Sequence, residues 1–241
     1  MTARILLITR PNHDLITSYL FHWSKLVIEE AEKKGIKVLD LQGNKATKKT
    51  FASYMKKHEA TFIFFNGHGS ETTITGHNNE ILIEIDKNEK ILAKKIIYAR
   101  SCNAANKLGL SCIKHHALAF IGYRRKFAVG YNPSKITNPL KDEIAELFIE
   151  PSNLIPISLL KGNAVKKAYE KSQNAMWRNL MFMLSTKASP SQKDAAPYLW
   201  INEASPSTEA GGFFFRGCAI PQDAGRRLSR CTSGFVLQPL K

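Results

Sequence analysis

The sequence predicts an α/β protein: a doubly wound, mostly parallel sheet with helices on both faces. Two observations carry this expectation. Short runs of consecutive apolar residues, the pattern of strands buried on both faces, alternate with longer stretches whose apolar residues recur at three and four. Strands that alternate with helices of this length imply crossover connections, and hence parallel strands covered on both sides.

The elements follow in order. Arg4–Thr9 (RILLIT) is a buried-strand run, broken by Pro11 and Asn12. Asp14 can cap a helix whose apolar positions are Ile16, Tyr19, Leu20, Trp23, Leu26 and Val27. Gly35 ends that helix after Lys33 and Lys34. Ile36–Leu41 (IKVLDL) is a second strand, and Thr47–His58 a second helix with Phe51, Tyr54 and Met55 inward. Thr61–Phe65 (TFIFF) is a third strand, which runs into Asn66-Gly67-His68-Gly69-Ser70. A hairpin follows, Thr72–Thr75 with Ile81–Ile85, joined by Gly76-His77-Asn78-Asn79. A short helical stretch near Asn88–Ala93 leads to the fourth strand, Ile96–Ala99 (IIYA), and then to Arg100-Ser101-Cys102-Asn103. Ala104–Leu110 reads as helix and Ala117–Tyr123 (ALAFIGY) as the fifth strand. Helices near Leu140–Ile149 and Gly162–Leu184 are separated by Pro151 and Pro156, which should break a helix.

The chain of 241 residues carries 35 Lys and Arg against 20 Asp and Glu, a formal charge of +15. That balance favours acidic partners but argues about association, not fold. No apolar run reaches the roughly 18 residues of a membrane span, and the first apolar run stops too early for a signal-peptide core. Four cysteines in a chain of this length do not make a disulfide scaffold. A cytoplasmic protein with no membrane partner is expected. After residue 185 the composition shifts: five of the ten prolines lie there, with Ser, Ala and Gly patches. This segment holds seven basic and four acidic residues, which leaves +12 on the first 184. One domain over 1–184 and a loosely structured or loosely docked extension over 185–241 are therefore expected.

Two polar segments sit where open α/β sheets place their chemistry, at the carboxyl ends of strands. In Asn66-Gly67-His68-Gly69-Ser70 the flanking glycines let a substrate backbone approach His68, and the Gly69 amide is available to an oxyanion. Cys102 lies at a strand-to-helix turn, where a helix N-terminus favours thiolate. The two can form a Cys/His acyl-transfer pair. Taken singly, a Cys at a strand end is usually a small buried hydrophobe and a His-Gly usually a turn. Their joint placement at neighbouring strand ends carries the chemical reading.

The residues FIFFNGHGS, the hairpin ETTITGHNNEILI, the strand IIYARSCNAA, ALAFIGY and the late helix LLKGNAVKKAYEKS resemble the clan CD, caspase-like cysteine peptidases. The resemblance covers roughly residues 1–180 and is nearest to bacterial CHAT-type domains. It implies a caspase-hemoglobinase fold, with His68 as general acid/base, Cys102 as nucleophile, and the Gly69 and Cys102 amides as the oxyanion site. It also implies a protein substrate, no cofactor, and switching by a sensor, a partner or processing. The surround Arg100-Ser101-Cys102-Asn103-Ala104 departs from the caspase Gln-Ala-Cys pattern. In caspases and metacaspases the residue two before the nucleophile lines the substrate pocket. By that correspondence Arg100 would bind an Asp or Glu before the cut. Alternatively Arg100 pairs with an internal acid such as Glu84 or Asp86. Arg124-Arg125-Lys126 could add positive potential at the same rim or be a solvated loop.

Other constellations are weaker. Cys102, Cys112, His115 and His116 match no compact zinc spacing, so no metal is expected. Cys218 and Cys231 read as free thiols. There is no Walker loop and no GxGxxG. His77 reads as the hairpin turn, and His13 and His58 as surface or capping residues. Two rival functions stay open: a catalytically silent caspase-like interaction module, and a basic nucleic-acid-associated protein. The latter lacks the interleaving of basic and aromatic residues that strand binding uses.

Overall fold

The structure is a computed structural model that describes residues 5–203 and 213–215. Its main sheet has strands β1 (Ile5–Arg10), β2 (Lys37–Gln42), β3 (Phe62–Asn66), β6 (Ile96–Arg100), β7 (Ala119–Gly122) and β8 (Phe213–Phe215), in the order β2-β1-β3-β6-β7-β8. All neighbours are parallel except β7 and β8. The hairpin β4 (Thr73–Thr75) and β5 (Ile81–Glu84) forms a second, two-stranded sheet. The helices are α1 (Leu15–Trp23), α2 (Lys25–Lys33), α3 (Lys48–Lys57), α4 (Lys107–Lys114), α5 (Glu143–Leu160), α6 (Val165–Met183) and α7 (Pro190–Glu203). No described helix is long and apolar enough to cross a membrane.

Alternation along the strands divides the core in two. Leu6, Ile8, Phe62, Phe64, Tyr98 and Ile121 face α1, α2, α5, α6 and α7. Leu7, Ile63, Phe65, Ile97, Ala99 and Phe120 face α3, α4 and the hairpin. Successive side chains of a strand point to opposite faces, so a run such as Phe62-Ile63-Phe64-Phe65 must be apolar throughout. The sheet is thus doubly wound, as its apolar runs imply.

Two expectations about elements change. The helix expected from Asp14 onward is split at Ser24, whose hydroxyl bonds back to the Leu20 carbonyl at 2.5 Å, a contact that bends helices. The stretch separated by Pro151 and Pro156 is instead one helix, α5, that runs through both prolines. Each proline lacks an N–H and leaves the carbonyl four residues earlier without its helical partner. Asn179 Nδ2 on α6 donates to the Leu147 carbonyl at 2.9 Å, and the Tyr98 hydroxyl on β6 donates to the Ser152 carbonyl at 3.1 Å. Tertiary donors thereby replace both missing bonds.

The expected boundary at 184 also moves. Helix α7 packs on α5 and α6, Ala195, Ala196 and Leu199 join the main core, and β8 pairs with β7. The Asn202 amide closes a two-bond contact with the Ala128 backbone, 2.8 Å from the amide nitrogen and 2.7 Å to the carbonyl. These parts of the expected extension are therefore built into the domain. The rest, with Cys218 and Cys231, lies outside the described residues.

Candidate active site

The strand order reverses between β1 and β3: from β1 the chain passes to β2 on one side, then returns to add β3 on the other. Open α/β sheets bind ligands at such a switch point, outside the carboxyl ends of the strands. The segment after β1 carries His13 and Asp14, the segment after β3 carries His68, and the segment after the adjacent β6 carries Cys102.

Asp14 caps α1 through a capping box. Its carboxylate accepts from the Thr17 amide at 2.8 Å, while the Thr17 hydroxyl accepts from the Asp14 amide at 3.0 Å. The other carboxylate oxygen, Oδ2, stands 2.6 Å from His68 Nε2. Burial works to raise the Asp14 pKa, but the Thr17 amide and the contact with His68 outweigh it and hold the group below its ordinary value. The carboxylate can only accept, so a neutral His68 donates from Nε2 and leaves Nδ1 free to take a proton. Asp14 thereby fixes both the tautomer and the orientation of the imidazole.

The glycines on either side of His68 serve close approach. Gly67 has φ +144, and a Cβ there would meet the Thr75 carbonyl. A Cβ on Gly69 would lie 2.9 Å from Ser101 Cβ and 3.2 Å from the Cys102 carbonyl oxygen. The His68 loop therefore lies directly against the Cys102 turn. The hairpin holds that loop in place: the Thr75 amide and hydroxyl donate to the His68 carbonyl at 3.0 and 3.1 Å, and the Ser70 amide to the Thr73 carbonyl at 3.0 Å. Neither the Gly69 nor the Cys102 amide donates to another described residue. Both remain available to an oxyanion.

Cys102 is partly buried, and its Sγ lies 3.9 Å from the Phe127 carbonyl, a partner that suits a thiol rather than a thiolate. The helix expected from Ala104 begins only at Lys107. The helix terminus therefore lies five residues beyond Cys102 rather than at the turn itself. Instead Asn103 adopts φ +58, and its amide donates to the Arg125 carbonyl at 3.0 Å, which pins the turn to the loop after β7. The basic segment Arg124-Arg125-Lys126 thus holds the turn through its backbone. The side chains of His68 and Cys102 are not bonded to each other: Nε2 of one is directed to Asp14, and Sγ of the other to Phe127.

Arg100 does not line a pocket. It is fully buried, and each of its five N–H groups is used. Asn66 Oδ1 accepts two bonds at 2.9 and 2.6 Å, Ser152 Oγ and Asn153 Oδ1 one each at 2.9 and 2.8 Å, and Ser24 Oγ one at 2.8 Å. Neither Glu84 nor Asp86 takes part. All four partners are neutral, and burial pulls its pKa down from the ordinary value. The guanidinium stitches the end of β3 to the end of β6, two residues before His68 and two before Cys102.

The Cys112 thiol is buried and pushed up to about 12 by that burial and by the charge of Glu89, which leaves it inert as a nucleophile. His115 stands 3.4 Å from Glu89. Among the described residues, those that could hold a cation lie elsewhere: one ligand atom each from His13, Asp14 and His68 falls within 4.8 Å of the others. His13, expected as a surface or capping residue, instead turns its side chain largely inward, with a side-chain exposure of 9%.

No protein-family model matches the sequence, and no curated protein matches it. Among solved structures it is similar to the X-ray structure of an inactive zymogen C11 protease from Parabacteroides distasonis, with a TM-score of 0.40 and 13% identity over 76% of this chain. The chain spans 65% of the length of that protease.

Proposed function

We propose that the protein is a cysteine endopeptidase that cleaves a protein substrate through Cys102 and His68. The observation that carries this reading is the seating of Gly69 against the Cys102 carbonyl, which brings the His68 loop to the Cys102 turn, where the Gly69 and Cys102 amides donate to no other described residue. Asp14 adds an orienting carboxylate at 2.6 Å from His68. In the reaction His68 takes the proton of the Cys102 thiol, the thiolate adds to the scissile carbonyl carbon, and the carbonyl oxygen takes the negative charge toward the Gly69 and Cys102 amides. Protonated His68 then gives its proton to the leaving amine as the C–N bond breaks. Water, deprotonated by His68, hydrolyses the thioester and regenerates the thiol.

The contact of Sγ with the Phe127 carbonyl supports a regulated enzyme, because Cys102 must turn away from Phe127 before it can attack. A partner or sensor protein, or processing of the chain, would supply that turn, as in the CHAT-type resemblance, and a cytoplasmic setting accords with thiol chemistry. The residue preference before the cut is set by groups other than Arg100, which is fully engaged.

Mass-spectrometric profiling on a diverse peptide library, wild type against Cys102→Ala and His68→Ala, tests the proposal. Cuts made by wild type and lost in both variants, at unchanged circular dichroism, are the expected result. Cleavage that persists undiminished in Cys102→Ala overturns it.

A further inference from the structure

We propose that His13, Asp14 and His68 form a site for a divalent transition-metal ion of the Zn²⁺ class, and that an ion bound there removes His68 from proton transfer. The second half of the proposal rests on the peptidase reading; the first half does not.

His13 is the observation that asks for an explanation. Its side chain is more than nine-tenths buried, yet among the described residues neither ring nitrogen has a hydrogen-bond partner. Buried polar groups are almost always paired, and one that is not calls for an account. Its Nε2 stands 3.4 Å from Asp14 Oδ2, close enough for an ion pair but without hydrogen-bond geometry. The His77 ring packs on it at 5.3 Å, edge to face, and the His68 ring lies 6.1 Å away on its other contact. The imidazole is therefore held in place with a free nitrogen near a carboxylate and a second imidazole.

The donor set fits a borderline cation. Two imidazole nitrogens and one carboxylate oxygen suit zinc and its neighbours better than calcium or magnesium, which take oxygen. With Zn²⁺ bonds of about 2.0–2.2 Å, ligand atoms around a tetrahedral ion stand roughly 3.3 Å apart. The His13–Asp14 separation of 3.4 Å already meets this. The His68–Asp14 separation of 2.6 Å is a hydrogen bond that must open, and both side chains are free to do so, being 40% and 35% exposed. Three protein ligands with the remaining position toward solvent is the arrangement of reactive or exchangeable sites, not of closed structural ones. The location is independent support, since the cluster spans the β1–β3 switch point where this sheet architecture takes ligands.

Metal and proton compete for the same atoms. An ion on His68 Nε2 and Asp14 Oδ2 replaces the hydrogen bond that orients the imidazole and withdraws its basicity, so loaded protein would be silent and metal-free protein competent.

The test uses the full chain with Zn²⁺ alone in calorimetry and Co²⁺ as a spectroscopic probe, with no substrate present. One equivalent of Zn²⁺ should bind, and Co²⁺ should give visible bands of tetrahedral intensity without a near-ultraviolet thiolate charge-transfer band. His13→Ala and Asp14→Asn should each weaken binding by at least about tenfold, the loss that even an outer-shell change causes at metal sites. Asp14→Asn keeps the helix cap, so its fold is preserved even if His13→Ala is not. Cys102→Ala should bind as wild type does. Undiminished affinity in Asp14→Asn and His13→Ala, or a thiolate band that Cys102→Ala removes, overturns the site. If protease activity is found and one bound equivalent of Zn²⁺ leaves it intact, the site stands and the silencing falls. A protein with no protease activity leaves the binding result unaffected.

Discussion

Arg100 shows how far a single side chain can depart from its sequence reading. Two residues before Cys102, on a correspondence with caspases, it looks like a specificity residue, yet it is sealed beneath the site with five bonds to Asn66, Ser24, Ser152 and Asn153. Each buried acceptor left without its donor costs about 1–3 kcal/mol, and lysine offers only three donors in place of a planar fork. Arg100→Lys should therefore lower stability by about 2–4 kcal/mol, read as a reduced urea midpoint at unchanged slope. On the peptidase reading proposed above, residual native protein should keep the same cleavage profile. A stable variant with altered preference would return Arg100 to the pocket. The partners lie 34 to 76 residues away in the chain, and no local pattern announces them. His68, Cys102 and Gly69 were legible because strand ends and glycine punctuation are local features. Asp14 was legible only as a helix cap. Its second role, and the burial of His13, depend on β3 lying beside β1, which a strand order and not a motif decides.

Among the elements, α5 departs most from expectation. Pro151 and Pro156 look like a break because proline in a helix interior costs about 3 kcal/mol when nothing replaces the lost bond. Here Asn179 and Tyr98 supply donors to the two exposed carbonyls, and the same turn of helix offers Ser152 and Asn153 to Arg100. Asn179→Ala should destabilise the protein by about 1–2 kcal/mol. In a Pro151→Ala background, where the new amide can bond the Leu147 carbonyl itself, the same substitution should cost clearly less. The double-mutant cycle should thus show a coupling of about 1 kcal/mol. Additive effects would mean that Asn179 does not stand in for the missing amide. Strands and most helices were legible because apolar period reports burial directly, as in Phe62–Asn66. The continuity of α5 was not, since it depends on donors from α6 and β6 that no window around the prolines contains.

For the whole molecule, the question is where the cooperative unit ends. Composition placed the end at 184, because proline, serine and glycine become frequent there and the apolar period fades. Composition does not register what Leu199 does: it is fully buried within the cluster that includes Phe64, Tyr98 and Phe148. Nor does it register Asn202, which pairs with both polar groups of the Ala128 backbone, on the loop that begins at the Cys102 turn's anchor. If α7 belongs to the cooperative unit, Leu199→Ala removes buried methyl groups from the main core and should lower global stability by about 2–4 kcal/mol. Denaturation followed by far-ultraviolet circular dichroism and by Trp23 environment should then give one coincident transition, shifted as a whole. Were α7 an appendage, the main transition would keep its midpoint and any change would appear as a separate, weaker step. The two outcomes also bear on the site. The segment from Phe127, whose carbonyl faces the Cys102 thiol, to Ala128 is held by Asn202, so loosening α7 should free Cys102 and raise its alkylation rate before global unfolding sets in.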